Sequence, residues 1–263
     1  RVVVGKDTRL SGYMLETALT SGMVSLGMDV YLVGPVPTPA LAHLTRSMVA
    51  ACGAMITASH NPAEDNGIKI FGNDGFKLSD DMQQQVTELV LGAEIEAAHI
   101  ANDKIGKAHR IEDARGRYIE FVKSTVPDLD LHGLDVVVDC ANGAGYLIAP
   151  IILRELGANV TKFAAAPDGY NINLGCGATQ PAALGAEVRR VGADLGIAFD
   201  GDADRVVFCD DRGEVVNGDC ILGLCAMGMR DEGKLRADAM VVTEMSSLGL
   251  HKAMQAEGIR TVT

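Results

Sequence analysis

The sequence predicts an α/β fold of tandem three-layer αβα domains with mixed, mostly parallel sheets. Three observations lead there. A pattern of apolar strand, polar or glycine-bearing loop, helix, glycine corner and second strand occurs three times. Gly27, Gly157 and Gly258 each stand between a helix and a strand, where a left-handed cap favours glycine. The copies lie roughly a hundred residues or more apart, the spacing of duplicated domains rather than of a solenoid. Strands alternating with helices form mostly parallel sheets covered on both faces, with ligands at the loops that follow strands.

The first copy opens with "RVVVGKD", continues through a helix from near Tyr13 to Leu26 and closes with "MDVYLVG". "MITASHNPAEDNGIKIFGNDG", residues 55 to 75, then runs from an apolar strand through a polar turn into a second apolar strand. Asn61-Pro62 and Asp65-Asn66-Gly67 set that turn, because Pro restricts the residue before it and Asn and Gly tolerate left-handed backbone. After the polar segment "AHIANDKIGKAHRIED" a boundary falls near residue 112, and Asp113 is expected to cap the helix "ARGRYIEFVKST". The second copy is "LDVVVDCANGAG", a helix ending near "LRELGA", and "NVTKFAA". "PDGYNINLGCGATQP", residues 167 to 181, is a long polar loop of the kind that is either functional or packed on a neighbouring domain. Beyond the strand "LGIAF", the stretch "FCDDRGEVVNGD" reads as a hairpin turning at Arg212-Gly213, with a helix from near Asp219 and a boundary near 213. The third copy is "AMVVTEMSSLG", a helix ending near "QAEGI", and "RTVT". Residues 1–112 and 113–213 thus read as two domains and 214–263 as the beginning of a third; the chain starts and stops in strands, like an excerpt.

The 263 residues suit two compact domains and part of another, at ~100 to 200 residues each. Hydrophobic residues at 48% and charged residues at 22% belong to an ordinary globular protein rather than a disordered one. A formal charge of −12 gives no general attraction for nucleic acid or an anionic membrane, and the lack of Trp removes the best base-stacking platform. Any phosphorylated ligand must therefore be held by a local group of cations, amides or metal. The six cysteines form no C-x-x-C pair and read as reduced core thiols, mostly in apolar elements, without a zinc site or disulfide framework. With neither a signal peptide nor a membrane span in view, a cytoplasmic protein is expected.

"LGIAFDGDADRVVFCDD" places Asp200, Asp202 and Asp204 directly after a strand. Carboxylates ~4 Å apart at an effective dielectric of ~20 repel by about 4 kcal/mol per pair, so a divalent cation explains the loop best. Oxygen ligands favour Mg²⁺ first, then Ca²⁺ or Mn²⁺. An EF-hand is excluded, since its sixth and twelfth positions require Gly and Glu where this chain has Arg205 and Asp211. Arg205 adds a fork for phosphate. Ser59-His60 is compatible with a plain turn or with chemistry; no G-x-S-x-G elbow supports a serine hydrolase. Lys6 and Arg9 in "VGKDTRLSG" are either surface charges or phosphate contacts, and "CANGAGY" lacks the third glycine of a dinucleotide fingerprint.

Taken together, "TASHNPAEDNGIKIFG" and "DGDADR" on α/β repeats resemble the α-D-phosphohexomutase family, and "VVDCANGAG", "NINLGCGATQP" and "VTEMSSLG" resemble its phosphoglucosamine-specific branch. The resemblance implies that residues 1–112 are domain I without its opening segment, 113–213 domain II and 214–263 the start of domain III. It implies that Ser59 carries a transferable phosphoryl group and, with Asp200, Asp202 and Asp204, holds one Mg²⁺. Lys69 matches the family's general acid/base, His60 would assist beside the serine, and Arg205 and Arg9 would face phosphate. The implied reaction interconverts glucosamine 6-phosphate and glucosamine 1-phosphate through a hexosamine 1,6-bisphosphate, with a small-molecule phosphosugar as partner and a homodimer left open. A mannose or glucose phosphate mutase, an aspartyl-phosphate enzyme using Asp200, and a non-catalytic sugar-phosphate module remain as alternatives. "TEMSS", residues 243 to 247, is set aside as a strand-to-helix corner.

Overall fold

The structure, a computed structural model, describes residues 1–92 and 104–263, so the start of the polar segment before the first expected boundary lies outside the described residues. In chain order the elements are β1 (Val2–Lys6), α1 (Ser11–Ser25), β2 (Val30–Pro35), α2 (Thr38–Ser47), β3 (Cys52–Ile56), β4 (Ile68–Gly72), α3 (Asp80–Leu91) and β5 (Ala108–Arg110). There follow α4 (Ala114–Ser124), β6 (Asp135–Asp139), α5 (Ile148–Glu155), β7 (Asn159–Phe163), α6 (Pro181–Val191), β8 (Leu195–Phe199), β9 (Val206–Cys209) and β10 (Val215–Val216). The last elements are α7 (Gly218–Asp231), β11 (Ala239–Val241), α8 (Leu248–Ala256) and β12 (Arg260–Val262).

The strands form sheets in the orders β4-β3-β1-β2-β5, β10-β9-β8-β6-β7 and β11-β12. Pairing is parallel except where β4, β9 and β10 join antiparallel, so the mixed, mostly parallel sheets are as expected. Each of the three sequence copies is a parallel βαβ unit, and Gly27, Gly157 and Gly258 all have positive φ.

Period-two alternation builds the three layers. In the first sheet Val2, Val4, Val30, Ala54 and Ile56 pack under α1, while Val3, Met55 and Val33 pack under Leu41 and Leu44 of α2. In the second, Val136, Val138 and Ile197 meet α5, while Val137, Ala198 and Cys209 meet Leu184 and Val188 of α6. The central strand β1 is buried throughout, which is why it reads as an unbroken apolar run. Ala114 and Ile119 of α4 and Ile148 of α5 join the core of the first sheet, so the two αβα units share packing along α2, α4 and α5. His43 of α2 stacks on Phe121 of α4 with ring centroids 3.9 Å apart.

Three expectations need correction. Asp113 stands at the N-cap of α4 but makes no capping hydrogen bond; its carboxylate instead accepts from Arg117 Nε at 2.9 Å. Within the polar segment taken as a linker, Ala108–Arg110 forms β5 at the sheet edge, where all three residues are exposed and leave no apolar signature. Cys140, Cys176 and Cys209 are buried, whereas Cys220 and Cys225 lie exposed on α7. The hairpin at Arg212-Gly213 forms as expected, with Gly213 at φ 71°. No helix among the described residues is long and apolar enough to cross a membrane.

Candidate active site

The serine loop leaves β3 at Ile56 and returns as β4, whose register sets Lys69 opposite Met55 and so brings it back beside the base of the loop. Ser59 occupies the left-handed region at φ 54°, a conformation that costs a non-glycine residue roughly 1–2 kcal/mol and persists only when its surroundings hold it. The Ser59 N–H donates to Thr57 Oγ1 at 2.9 Å, and the Ser59 carbonyl accepts from Arg9 Nη2 and from Asn173 Nδ2, both at 3.0 Å. Thr57 Oγ1 in turn donates to Asp7 Oδ2 at 2.7 Å.

Arg9 is fully buried, and this overturns its expected contact with phosphate. Its Nε donates to Asp7 Oδ2 at 2.9 Å, Nη2 to the carbonyls of Ser59 and Asn61, and Nη1 to those of Pro62 and Asp65. All five N–H donors of the guanidinium are thereby spent behind the serine loop, where the side chain fixes the loop's path and has nothing left for a ligand. Burial pushes the Asp7 carboxyl up from its ordinary value, against the hydrogen bond from Thr57 and the Arg9 charge.

The aspartate loop, which carries Asp200, Asp202 and Asp204, follows β8 and approaches the serine loop from the second sheet. Ser59 Oγ donates to Asp200 Oδ2 at 2.9 Å. Asp200 also accepts from Arg205, at 3.1 Å from Nε and 2.8 Å from Nη2, while Arg205 Nη2 lies 3.4 Å from Ser59 Oγ. Lys69 Nζ is 2.7 Å from Asp202 Oδ2 and 3.7 Å from Asp204 Oδ2. The N-terminus of α2 completes the cluster: the Thr38 N–H donates to the Asp202 carbonyl at 2.9 Å and Thr38 Oγ1 to Asp202 Oδ2 at 2.6 Å. A helix N-terminus carries partial positive charge and favours the carboxylate there.

Asp200 and Asp202 are wholly buried, and one oxygen from each of Asp200, Asp202 and Asp204 lies within 4.8 Å of the others. Burial acts to raise Asp202, but hydrogen bonds from Lys69 and Thr38 outweigh it and hold the carboxyl below its ordinary value. Burial, followed by the charges of Asp202 and Asp200, raises Asp204. Asp202 Oδ1 is buried and has no hydrogen-bond partner among the described residues. A buried carboxylate oxygen left in that state costs about 1–3 kcal/mol, so an oxygen-only donor set with one free buried ligand atom fits a hard divalent cation.

Close backbone approach brings the loops together. A Cβ on Gly201 would stand 2.5 Å from the Ser59 carbonyl oxygen, and one on Gly143 would stand 2.3 Å from the Gly201 carbonyl oxygen. The "CANGAG" loop, the aspartate loop and the serine loop are thus stacked backbone on backbone, with the Ala144 N–H donating to Gly201 O at 2.8 Å.

Of the residues singled out from the sequence, Ser59, Lys69, Asp200, Asp202, Asp204 and Arg205 meet in one cluster. His60 is exposed, and no hydrogen bond among the described residues draws its side chain into the network. The sequence reading passed over Asp7, Thr38, Thr57 and Asn173. Only Thr38 carried a local signal, in the Pro-flanked "VPTPA" that opens α2. "TEMSS" is the corner before α8, where Ser247 caps the helix by accepting from the Leu250 N–H.

Comparison with known proteins identifies the family to which these two units belong. Residues 1–96 match the family model for phosphoglucomutase/phosphomannomutase alpha/beta/alpha domain I, and residues 116–213 match that for domain II. Over 261 residues the chain is 58% identical to a phosphoglucosamine mutase of Cereibacter sphaeroides, covering 99% of this chain and 58% of that protein. It is 51% identical to a phosphoglucosamine mutase of Geotalea daltonii over 263 residues, again spanning 58% of the relative's length. A crystal structure of a phosphoglucomutase/phosphomannomutase family protein from Burkholderia thailandensis superposes with a TM-score of 0.81 at 25% identity, covering 99% of this chain and 57% of that one. The chain belongs to the phosphoglucomutase/phosphomannomutase family, and within it is most like the phosphoglucosamine mutases.

Proposed function

We propose that this chain carries the phosphoserine and metal-binding parts of a mutase that interconverts glucosamine 6-phosphate and glucosamine 1-phosphate. The observation that carries the reading is the meeting of Ser59 Oγ with Asp200 Oδ2 at 2.9 Å, across 141 residues of chain, in a cluster that also holds Lys69 and Arg205. The curated relatives' name supports the sugar. Asp200, Asp202, Asp204 and an oxygen on Ser59 would hold one Mg²⁺, which when bound offsets the charge that gathers on a transferring phosphoryl group.

Three carboxylates facing Lys69 and Arg205 leave net negative charge, and a phosphoserine adds roughly −1.5 to −2 more, so the site requires further positive charge to hold one. In the forward step the phosphorus–Ser59 oxygen bond breaks as a bond forms to the free hydroxyl of the hexosamine monophosphate. The hydroxyl proton passes to water, and Lys69 supplies a proton to the departing Ser59 Oγ. The resulting 1,6-bisphosphate turns over and returns its other phosphoryl group to Ser59: the Ser59 hydroxyl gives its proton back to Lys69 as the new bond to phosphorus forms, and the released sugar oxygen takes a proton from water. Arg205, whose side chain is 47% exposed, presents its guanidinium to the charged oxygens in transit.

Incubating the full chain with hexose 1,6-bisphosphate and Mg²⁺ tests the reading. Peptide mass spectrometry should find hydroxylamine-resistant phosphate on Ser59 that is lost in Ser59→Ala. An unmodified Ser59, or a hydroxylamine-labile phosphate on Asp200, overturns it.

A further inference from the structure

The long loop before α6 and the "CANGAG" loop enter the site without a role in the transfer itself. They are tied into one body by Asp139, which accepts from the Ala141 N–H at 2.9 Å and the Gly177 N–H at 2.6 Å. Asn142 reaches across to the Asn171 carbonyl at 3.3 Å, and the Asn173 N–H donates to the Ala141 carbonyl at 2.9 Å. From this body one side chain extends to the serine loop. Asn173 Nδ2 donates to the Ser59 carbonyl at 3.0 Å and to the Asn61 carbonyl at 3.1 Å. Arg9 Nη2 donates to the same two oxygens from the first sheet. Each carbonyl has two lone pairs, so the serine-loop oxygens are saturated from both sides. Asn173 itself stands at φ 59°, which Asn tolerates better than most residues.

We propose that Asn173 is a positioning residue for Ser59: its amide clamps the two carbonyls that flank His60 and thereby sets where Ser59 Oγ meets the aspartate loop of the second sheet. Gly201 fits between them, since a Cβ there would stand 2.7 Å from Asn173 Nδ2 as well as 2.5 Å from Ser59 O. The clamp therefore fixes the separation of the serine and aspartate loops, acting through Ser59 without touching the sugar. Its catalytic consequence rests on the mutase reading above; the anchoring does not.

Two replacements separate the amide from the backbone conformation. Asn173→Gly keeps the left-handed backbone and removes the donor; Asn173→Asp keeps the shape and turns a carboxylate oxygen toward two carbonyls. Hydrogen exchange over residues 57–62 of the full chain reads the anchoring whether or not a phosphosugar is turned over. Faster exchange there in both variants, with the melting temperature within a degree or two of wild type, supports the clamp; wild-type exchange in both overturns it. Turnover of glucosamine phosphate reads the consequence: about a 10- to 100-fold fall in kcat with KM within about twofold, and Asp worse than Gly, is expected. Asn173→Gly at the wild-type kcat would reduce Asn173 to a left-handed corner and overturn the positioning role. A wild-type chain that acquires no phosphate on Ser59 counts against the mutase reading alone, and the exchange result still decides the clamp.

Discussion

Gly201→Ala is a single added methyl group whose effect can be worked from the contacts it would make. The new Cβ would stand 2.5 Å from the Ser59 carbonyl oxygen, 2.7 Å from Asn173 Nδ2 and 2.8 Å from Ile172 Cδ1. An unstrained contact needs roughly 3.4 Å, so the serine loop and the aspartate loop must separate by ~1 Å. Neither side yields cheaply: the nearest atom is backbone, and that carbonyl is held by Arg9 and Asn173. The hydrogen bond between Ser59 Oγ and Asp200 Oδ2, now 2.9 Å, would then stretch beyond a useful length. Misplacement of a reacting atom by that distance costs about 10²-fold in rate, while overpacking of this kind costs about 1–3 kcal/mol in stability. The assay is the single-turnover rate of Ser59 phosphorylation by hexose 1,6-bisphosphate in the full chain, beside a urea unfolding curve. A variant that phosphorylates within threefold of wild type and unfolds at the same urea midpoint would refute the reasoning that backbone contact sets the geometry of the site.

Two further predictions address the frame behind the site. Arg9→Met removes the partner of Asp7, and both side chains are completely buried, so a loss of about 3–5 kcal/mol is expected in denaturant unfolding. The Arg9→Met, Asp7→Asn pair should recover part of that loss, and a single-variant loss under about 1 kcal/mol would contradict the buried pairing. Asp139 gives a pH test. Burial raises its carboxyl from 3.8 to about 6, although the Ala141 and Gly177 amides act to lower it. A folded-state value raised in this way means that the stability contributed by the protonated acid is complete below 3.8 and is lost as pH rises through about 6. Relative to Asp139→Asn, wild type should therefore lose up to about 3 kcal/mol between roughly pH 4 and pH 7, and a pH-independent difference would show that Asp139 is not so perturbed.

What could be read from the sequence was whatever is written contiguously along it. The buried valines of β1 and β6 announce central parallel strands, and the Asp200 loop follows its strand so closely that its charges require explanation. The aspartate loop and the serine loop each carry a pattern that is ambiguous alone and points to one site only in combination. Other features left no such trace. The strand Ala108–Arg110 pairs through its backbone at a sheet edge and exposes its side chains, so neither alternation nor hydrophobicity marks it. Arg9 sits at the expected place, but whether its guanidinium points outward or behind the loop depends on carbonyls more than fifty residues later in the chain. Thr38 and Asn173 act through main-chain or lone carboxylate oxygens across 164 and 114 residues, and a bond to a carbonyl imposes no residue type on its acceptor. The capping expected of Asp113 lost to its ion pair with Arg117 four positions on, a competition that local pattern does not decide.

The two sheets satisfy each other's main chain. The Asp202 carbonyl takes its hydrogen bond from Thr38 of the first unit, and the Ser59 carbonyl takes one of its two from Asn173 of the second. This makes the boundary between the units a poor breakpoint for recombination. A chimera joining one homologue's serine unit to another's aspartate unit keeps every ligand and every cation, and still fails to register them unless the Thr38, Asn173 and Gly201 positions travel as a matched set. The heritable unit of this site is therefore the pair of domains.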